Sequence, residues 1–362
     1  MSAPPPRIAR PLLAWYRRHG RKDLPWKQPA SAYPVWISEI MLQQTQVATA
    51  VPYFQRFMAQ FPDVATLAKA HEDEVLYLWS GLGYYSRARN LHAAAKRIYE
   101  QRKGRLPNSL EDWLALPGVG RSTAGAILAL SQGQRHPILD GNVKRVLCRY
   151  HGIDNWPGEA ATEKKLWGLA ERHTPRKGVA EYSQAIMDLG ATLCTRSRPD
   201  CDACPLRRHC CARASDRVTA LPAPKPRTPR PERGTRFLVL RDADQAVLLI
   251  RRPPGGVWAG LWGFPECAPI EDPGLVCRQR FGLAPVSTQF LPPRCHGFTH
   301  FRLHIEPILV DVDPDSAAHA GRVMEAGSAL WYNSASPDRI GMATPVRRIL
   351  DDLSQPSFSK TA

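Results

Sequence analysis

The chain has 362 residues, 43% of them hydrophobic, and a formal net charge of +16. That length exceeds one ordinary core and predicts two or three domains. No apolar run approaches a membrane span, the first residues lack the apolar stretch of a secretory signal, and nine cysteines is an odd count for a disulfide framework. A soluble cytoplasmic protein is therefore expected, with no membrane partner.

The charge is unevenly placed. Residues 1–213 hold 31 Lys and Arg against 18 Asp and Glu, residues 214–234 hold 5 against 2, and residues 235–362 hold 13 of each. The first stretch can grip a polyanion, which suggests nucleic acid; a basic but inert solvated surface is the plain alternative.

Residues 8–213 read as helices joined by short loops. A helix from Tyr33 to about Gln46 sets Trp36, Ile40 and Val47 on one face. Glu39 interrupts this stretch beside Ile37, Ile40, Met41 and Leu42. A solvated Glu is the ordinary outcome; burial would raise its pKa and keep it protonated near neutrality, as a general acid requires. Ala88 to Gln101 repeats the helical pattern, and Gly104 can stop it. Ser109 is placed to cap a further helix, with Asp112 as a capping-box partner.

The stretch LPGVGRSTA over residues 116–124 follows. Pro117 ends the preceding helix, while Gly118 and Gly120 permit positive φ and close backbone approach. The helix expected to begin near Ser122 would leave its free N–H groups available to a phosphate, an ordinary inter-helix turn being the plain alternative. Twenty residues past Gly120, Asp140 precedes a helix containing Lys144 and Arg145. It is an N-cap candidate, and the helix terminus and the cations favour its ionised form. Helices are also expected over Ser122–Leu130, Val143–Tyr150, Thr162–His173 and Ala180–Leu193.

Cys194, Cys201, Cys204 and Cys210 have the spacing C-x6-C-x2-C-x5-C. Four thiolates this close can surround one metal centre. Zinc usually takes two tight C-x2-C pairs, and only one is present. Arg196, Arg198, Arg207 and Arg208 flank the ligands and can meet phosphates or merely solvate the loop. Cys211 receives no role.

Residues 214–234 form a linker in which Pro222, Pro224, Pro226, Pro229 and Pro231 alternate with basic residues. From residue 235 to 362 the pattern is α+β. Arg236–Arg241 and Ala246–Arg251 predict a hairpin, Phe301–Val312 a strand, and Pro273–Phe281 and Thr344–Leu353 helices.

Taken together, residues 8–213 resemble the MutY adenine glycosylases, within the endonuclease III group of glycosylases with a helix-hairpin-helix. The match runs through DLPW (23–26), VWISEIMLQQTQ (35–46), GLGYYSRARN (81–90), the hairpin, Asp140 and the cysteine loop. Residues 235–353 resemble the NUDIX-like domain of the same family through VWAGLWGFPE (257–266) and HGFTHFRL (296–303). The implied protein is multidomain: an all-α helix-hairpin-helix glycosylase core over residues 1–213 with a [4Fe–4S] cluster loop, the linker, and an α+β NUDIX-like domain over residues 235–362.

The resemblance implies excision of adenine mispaired with 8-oxoguanine or guanine in double-stranded DNA, by a monomer. Glu39 would protonate the flipped base and Asp140 would stabilise the sugar cation. Gln44 and Tyr84 resemble residues that wedge into the duplex, and Leu24, Trp26 and Gln184 resemble adenine-pocket residues. Asn142 resembles a support for Asp140, and Gly118, Gly120 and Ser122 belong to the hairpin that meets DNA. Phe298, Thr299 and His300 match the segment that inspects 8-oxoguanine, with Thr299 in place of the family's usual Ser. The four cysteines would hold the cluster.

Two competing readings are open to tests. An endonuclease III-like lyase predicts a lysine where Ser122 stands, for Schiff-base chemistry. A non-catalytic DNA-binding protein predicts no need for Glu39 and Asp140. The helix Pro273–Phe281 has none of the acids with which a NUDIX hydrolase holds magnesium, so pyrophosphatase activity is not expected.

Overall fold

A computed structural model describes residues 8–28, 31–226, 229–316 and 328–354. The residues before Ile8, read above for a missing secretory signal, lie outside these. In chain order the helices are α1 (Ala9–His19), α2 (Ala32–Leu42), α3 (Val47–Gln60), α4 (Val64–Lys69), α5 (Glu72–Trp79), α6 (Ser86–Arg102), α7 (Leu110–Leu114), α8 (Arg121–Gln132), α9 (Gly141–His151), α10 (Ala160–His173), α11 (Val179–Thr192), α12 (Cys211–Ala214), α13 (Pro273–Phe281) and α14 (Thr344–Leu353). Among the described residues, none is long and apolar enough to cross a membrane. Two compact units form: residues 1–69 with 90–227, and residues 70–89 with 228–362.

The first unit is helical. α2 packs on α8, and α11 packs on α1, α8 and α9. Trp36 and Trp113 are fully buried and meet edge to face at 5.5 Å, and fully burying such a ring contributes roughly 2–3 kcal/mol. The helix expected to reach Gln46 ends at Leu42 instead. Gln44 adopts φ 59°, which no right-handed helix accommodates, and α3 starts afresh at Val47. The Gln43 amide reaches across to the Thr123 hydroxyl at 3.3 Å, tying this break to the start of α8. Ser109 caps α7 by accepting the Asp112 N–H at 3.2 Å, but the Asp112 carboxylate turns to Arg102 rather than closing a capping box.

The hairpin glycines differ from each other. Gly118 has φ 75°, and a Cβ there would lie 2.7 Å from Asn90 Cβ. Gly120 is extended at φ −90° and caps α8, with nothing near its missing Cβ. The expectation of positive φ therefore holds for Gly118 alone. At Gly120 the missing side chain leaves the α8 terminus uncovered.

Among the described residues, the second unit is built on a mixed sheet of eight strands: β1 (Glu232–Arg241), β2 (Val247–Arg251), β3 (Trp262–Gly263), β4 (Glu266–Cys267), β5 (Pro285–Phe290), β6 (Arg294–Gly297), β7 (Arg302–Val312) and β8 (Ala329–Tyr332). The main path runs β3-β2-β1-β7-β5, with β4 on β1, β6 on β7 and β8 on β2. β1 and β7 run parallel, from Glu232 opposite Arg302 to Arg241 opposite Asp311. The expected hairpin is β1–β2, closed by Asp242, whose carboxylate accepts the Ala246 N–H at 2.8 Å.

Residues 70–89 belong to this unit through specific bonds. The Tyr85 hydroxyl donates to the Met342 carbonyl at 2.8 Å, and the Trp262 indole N–H donates to Asp73 at 3.1 Å. Arg89 donates to the Ala259 carbonyl, and Arg251 lies 3.4 Å from Glu72. Because these bonds anchor α5, the turn after it and the first turn of α6, Tyr84 shares a unit with the segment 296–300.

Candidate active site and nucleic-acid interface

In the first unit a cavity of about 1020 Å³ opens between α2, α8, α9 and α11. Leu24, Trp26, Glu39, Gln44, Ser122, Asp140, Asn142 and Gln184 all line it, so eight residues singled out on sequence meet in one place. Arg21, Arg145 and Arg196 join them. Trp26 is both core and wall: it is 3% exposed and packs edge to face on Phe54 at 5.3 Å.

Two carboxyls with unlike surroundings face this cavity. Glu39 sits on α2 between buried Ser38 and Ile40. Loss of solvent, and then the nearby Asp140 charge, push its carboxyl up to about 8. A carboxyl raised this way favours its neutral form at pH 7, as a proton donor needs. Asp140 is the N-cap of α9. Its carboxylate accepts the Val143 N–H at 2.8 Å and the Asn142 amide at 3.2 Å.

Burial raises the Asp140 carboxyl above its ordinary value, while those two donors and Arg145 oppose the rise. The expectation that its setting would simply favour the charge is corrected: desolvation is the larger effect, and the donors only limit it. Glu39 has no comparable donors offsetting its burial. A negative charge on Asp140 helps Glu39 keep its proton.

Supporting contacts run outward from Asp140. Asn142 Oδ1 accepts from Arg145 at 2.9 Å, and Arg145 also donates to the carbonyls of Cys194 at 2.7 Å and Gly190 at 2.6 Å. Position 190 has no room for a side chain, since a Cβ would lie 2.6 Å from Asn142 Cβ. Ser122 Oγ accepts the Leu139 N–H at 2.9 Å. The sequence reading missed Arg21, which pairs with the fully buried Asp188 at 2.6 Å. An acid among Ile186, Met187 and Leu189 on an apolar helix face was the available signal.

Cys194, Cys201, Cys204 and Cys210 line one small cavity, together with Arg149, Arg207 and Arg213. Arg149 is 2% exposed and donates to Cys194 Sγ at 3.3 Å, while the Cys210 thiol lies 3.5 Å from the Arg149 carbonyl. Among the described residues no three His, Cys, Asp or Glu side chains converge as ligands of a single ion. By donor chemistry, four cysteines lining one small cavity, one sulfur already accepting an N–H, suit a metal–sulfur group, although their side chains do not converge on one point. Arg207 donates to the Asp202 carbonyl and Arg213 pairs with the Asp202 carboxylate at 3.0 Å, so these two cations brace the loop. Cys211 is exposed.

The second unit has its own cavity, of about 800 Å³, lined by Tyr84, Arg89, Arg230, Arg233, Trp258 and the segment His296–His300, among others. Phe298, Thr299 and His300 lie between β6 and β7, not within a strand. A turn closed by the Phe298 N–H on the Phe301 carbonyl at 2.9 Å presents them. Phe298 stacks on Phe301 at 4.5 Å and 22°, with Trp258 at 5.2 Å and His296 at 4.7 Å. The Arg233 guanidinium covers Phe301 at 4.6 Å. Thr299 Oγ1 lies 3.4 Å from His300 Nδ1. Tyr84 is 43% exposed at φ 49°, so it is no core aromatic.

Comparison with known proteins agrees with both halves. Residues 37–172 match the HhH-GPD superfamily of base excision DNA repair proteins, and residues 236–352 match the NUDIX domain. An adenine DNA glycosylase of Buchnera aphidicola subsp. Acyrthosiphon pisum is 38% identical over 347 residues, 96% of this chain and 97% of that protein. The adenine DNA glycosylase of Homo sapiens is 38% identical over 308 residues, 70% of this chain and 56% of that protein. Among solved structures, a thermostable thymine-DNA glycosylase superposes with a TM-score of 0.51 at 26% identity, covering 57% of this chain and 94% of that one.

Proposed function

The chain belongs to the adenine DNA glycosylases of the HhH-GPD superfamily, with a NUDIX domain after the helical one, and from that premise we propose which residues carry the reaction and which lesion they serve. The protein excises adenine from DNA in base excision repair. The proposed target is adenine opposite 8-oxoguanine or guanine in double-stranded DNA, attacked by a cytoplasmic monomer. One observation carries the chemistry: Glu39, whose carboxyl is pushed up by burial and by the Asp140 charge, and Asp140, held by the Val143 N–H and the Asn142 amide, face the same cavity.

Adenine must leave the base stack to enter that cavity. Glu39 gives its proton to adenine N7, so the C1′–N9 bond breaks with its electron pair going to the base. The Asp140 carboxylate stabilises the sugar cation left behind, held by Val143 N–H and Asn142. Water then adds at C1′, and the ionised Glu39 accepts its proton. The products are free adenine and an abasic site. A hydroxyl at Ser122 cannot form a Schiff base, so the enzyme is monofunctional, with at most weak strand cleavage.

Leu24, Trp26 and Gln184 form the adenine pocket, and Gln44 and Tyr84 enter the duplex. Gly118, Gly120 and Ser122 bring the uncovered α8 terminus to a phosphate. Phe298, Thr299 and His300 read 8-oxoguanine, supported by the aromatic group around Trp258. The four cysteines hold a [4Fe–4S] cluster, which when bound supplies a rigid loop for DNA contact. Arg149 supports the sulfur cage by its N–H to Cys194.

The test is adenine release from duplexes with 8-oxoguanine opposite adenine, guanine opposite adenine, and 8-oxoguanine opposite cytosine. The first two release adenine, the third loses no base, and strands break only after alkali. Release from none of them by cluster-loaded protein would leave the binding-module reading in its place.

A further inference from the structure

Gln184 lines the adenine cavity yet is only 6% exposed, and its amide has two ends with opposite preferences. Its Nε2 donates to Asp188 Oδ1 at 2.9 Å, four residues on along α11. Asp188 is itself fully buried. The same Oδ1 accepts from Arg21 Nε at 2.9 Å and Nη2 at 2.6 Å, and Oδ2 accepts the Arg21 N–H at 2.9 Å. An oxygen already taking two guanidinium bonds can only accept, so the Gln184 amide cannot flip without setting two acceptors against each other. Its Oε1 is the free end: no described group donates to it, and it is not among the buried atoms cut off from solvent.

We propose that Asp188 is a positioning residue for base selection: it locks the Gln184 amide so that only a carbonyl oxygen is offered to the base in the cavity. Such an oxygen accepts from the exocyclic amino group of adenine and opposes the carbonyl that guanine or hypoxanthine carries at the same place. Arg21 makes the lock rigid from a segment 167 residues away in sequence. The assignment rests on the reading of this cavity as the adenine pocket.

The experiment compares release of adenine with release of unsubstituted purine, which lacks the amino group, each opposite 8-oxoguanine. The readout is the ratio of single-turnover rates. Asp188→Asn offers an amide whose NH2 can face Gln184, and we expect the adenine-to-purine ratio to drop about tenfold, the scale of one mismatched buried hydrogen bond. Asp188→Glu keeps the charge opposite Arg21 while displacing the oxygen, so it gives the same drop should the Asn variant not fold. In a Gln184→Leu background, Asp188→Asn adds no further drop.

Equal loss on both bases, or an unchanged ratio in a folded variant, overturns the assignment and leaves Asp188 a structural ion-pair partner. A further drop in the Gln184→Leu background overturns it as well. Absence of adenine release by the unmodified protein is a different failure, that of the adenine-pocket reading itself.

Discussion

The Ser122 hydroxyl accepts the Leu139 N–H at 2.9 Å, and Leu139 immediately precedes Asp140 in the chain. The start of α8 is thereby fastened to the backbone that delivers the carboxylate. Ser122→Ala leaves the Leu139 N–H unpaired, at a cost of about 1–2 kcal/mol in folding stability. Loosened delivery of Asp140 lowers single-turnover adenine release by about tenfold, with duplex affinity little changed. Urea unfolding and rate measurements check the two halves; an unaltered rate in the variant would remove Ser122 from the site.

Glu39→Gln abolishes adenine release while duplex binding persists, because the amide has no proton to give to N7. Gel-shift and release assays on the same preparation separate these properties. Measurable release at the normal rate would disqualify Glu39 as the acid.

Stability should respond to pH through the same residue. The folded-state carboxyl titrates near 8, above its ordinary 4.5, so the folded form binds the proton more tightly than the unfolded chain. The contribution is fully present below pH 4.5 and is lost as pH rises through about 8. Glu39→Gln escapes that loss and should be more stable than the parent at pH 9 by on the order of 2 kcal/mol, discounted for the solvent at the cavity mouth. The advantage disappears at pH 4. Denaturant midpoints at the two pH values decide it, and a pH-independent difference would mean that Glu39 is not desolvated.

Adenine release should itself fall as pH rises through about 8, as Glu39 loses its proton. A rate profile flat from pH 6 to 10, measured on the chemical step, would contradict the assignment.

Phe298→Ala removes the ring that stacks on Phe301 beside Trp258. With a base contact worth roughly 1–3 kcal/mol gone, the preference for 8-oxoguanine over guanine opposite adenine narrows by about tenfold. Competition between the two duplexes measures it, and equal preference in variant and parent would move lesion reading elsewhere.

What the sequence made legible was mostly local. Glu39 stood out as an acid in an apolar run, Asp140 as a cap, and the cysteines by spacing alone. Pairings between distant residues left no such trace. Arg21 and Asp188 look like an unremarkable cation and a stray acid until α1 and α11 pack together. The attachment of residues 70–89 to the sheet unit rests on bonds such as Tyr85 to Met342, 257 residues apart. β5 and β6 were missed because β5 is mostly exposed and β6 only partly buried, so neither shows a clear alternation of apolar and polar residues. The end of α2 was misjudged because no Gly or Pro marks it; Gln44 takes the left-handed conformation without being a residue made for it.

That conformation at Gln44, and again at Tyr84, bears on any effort to harden the protein against heat. Each site would gain about 1 kcal/mol from a glycine, which adopts positive φ without penalty. A selection for thermal endurance alone would therefore discard the two side chains proposed to enter the duplex, and the hardier chain would be poorer at finding its lesion.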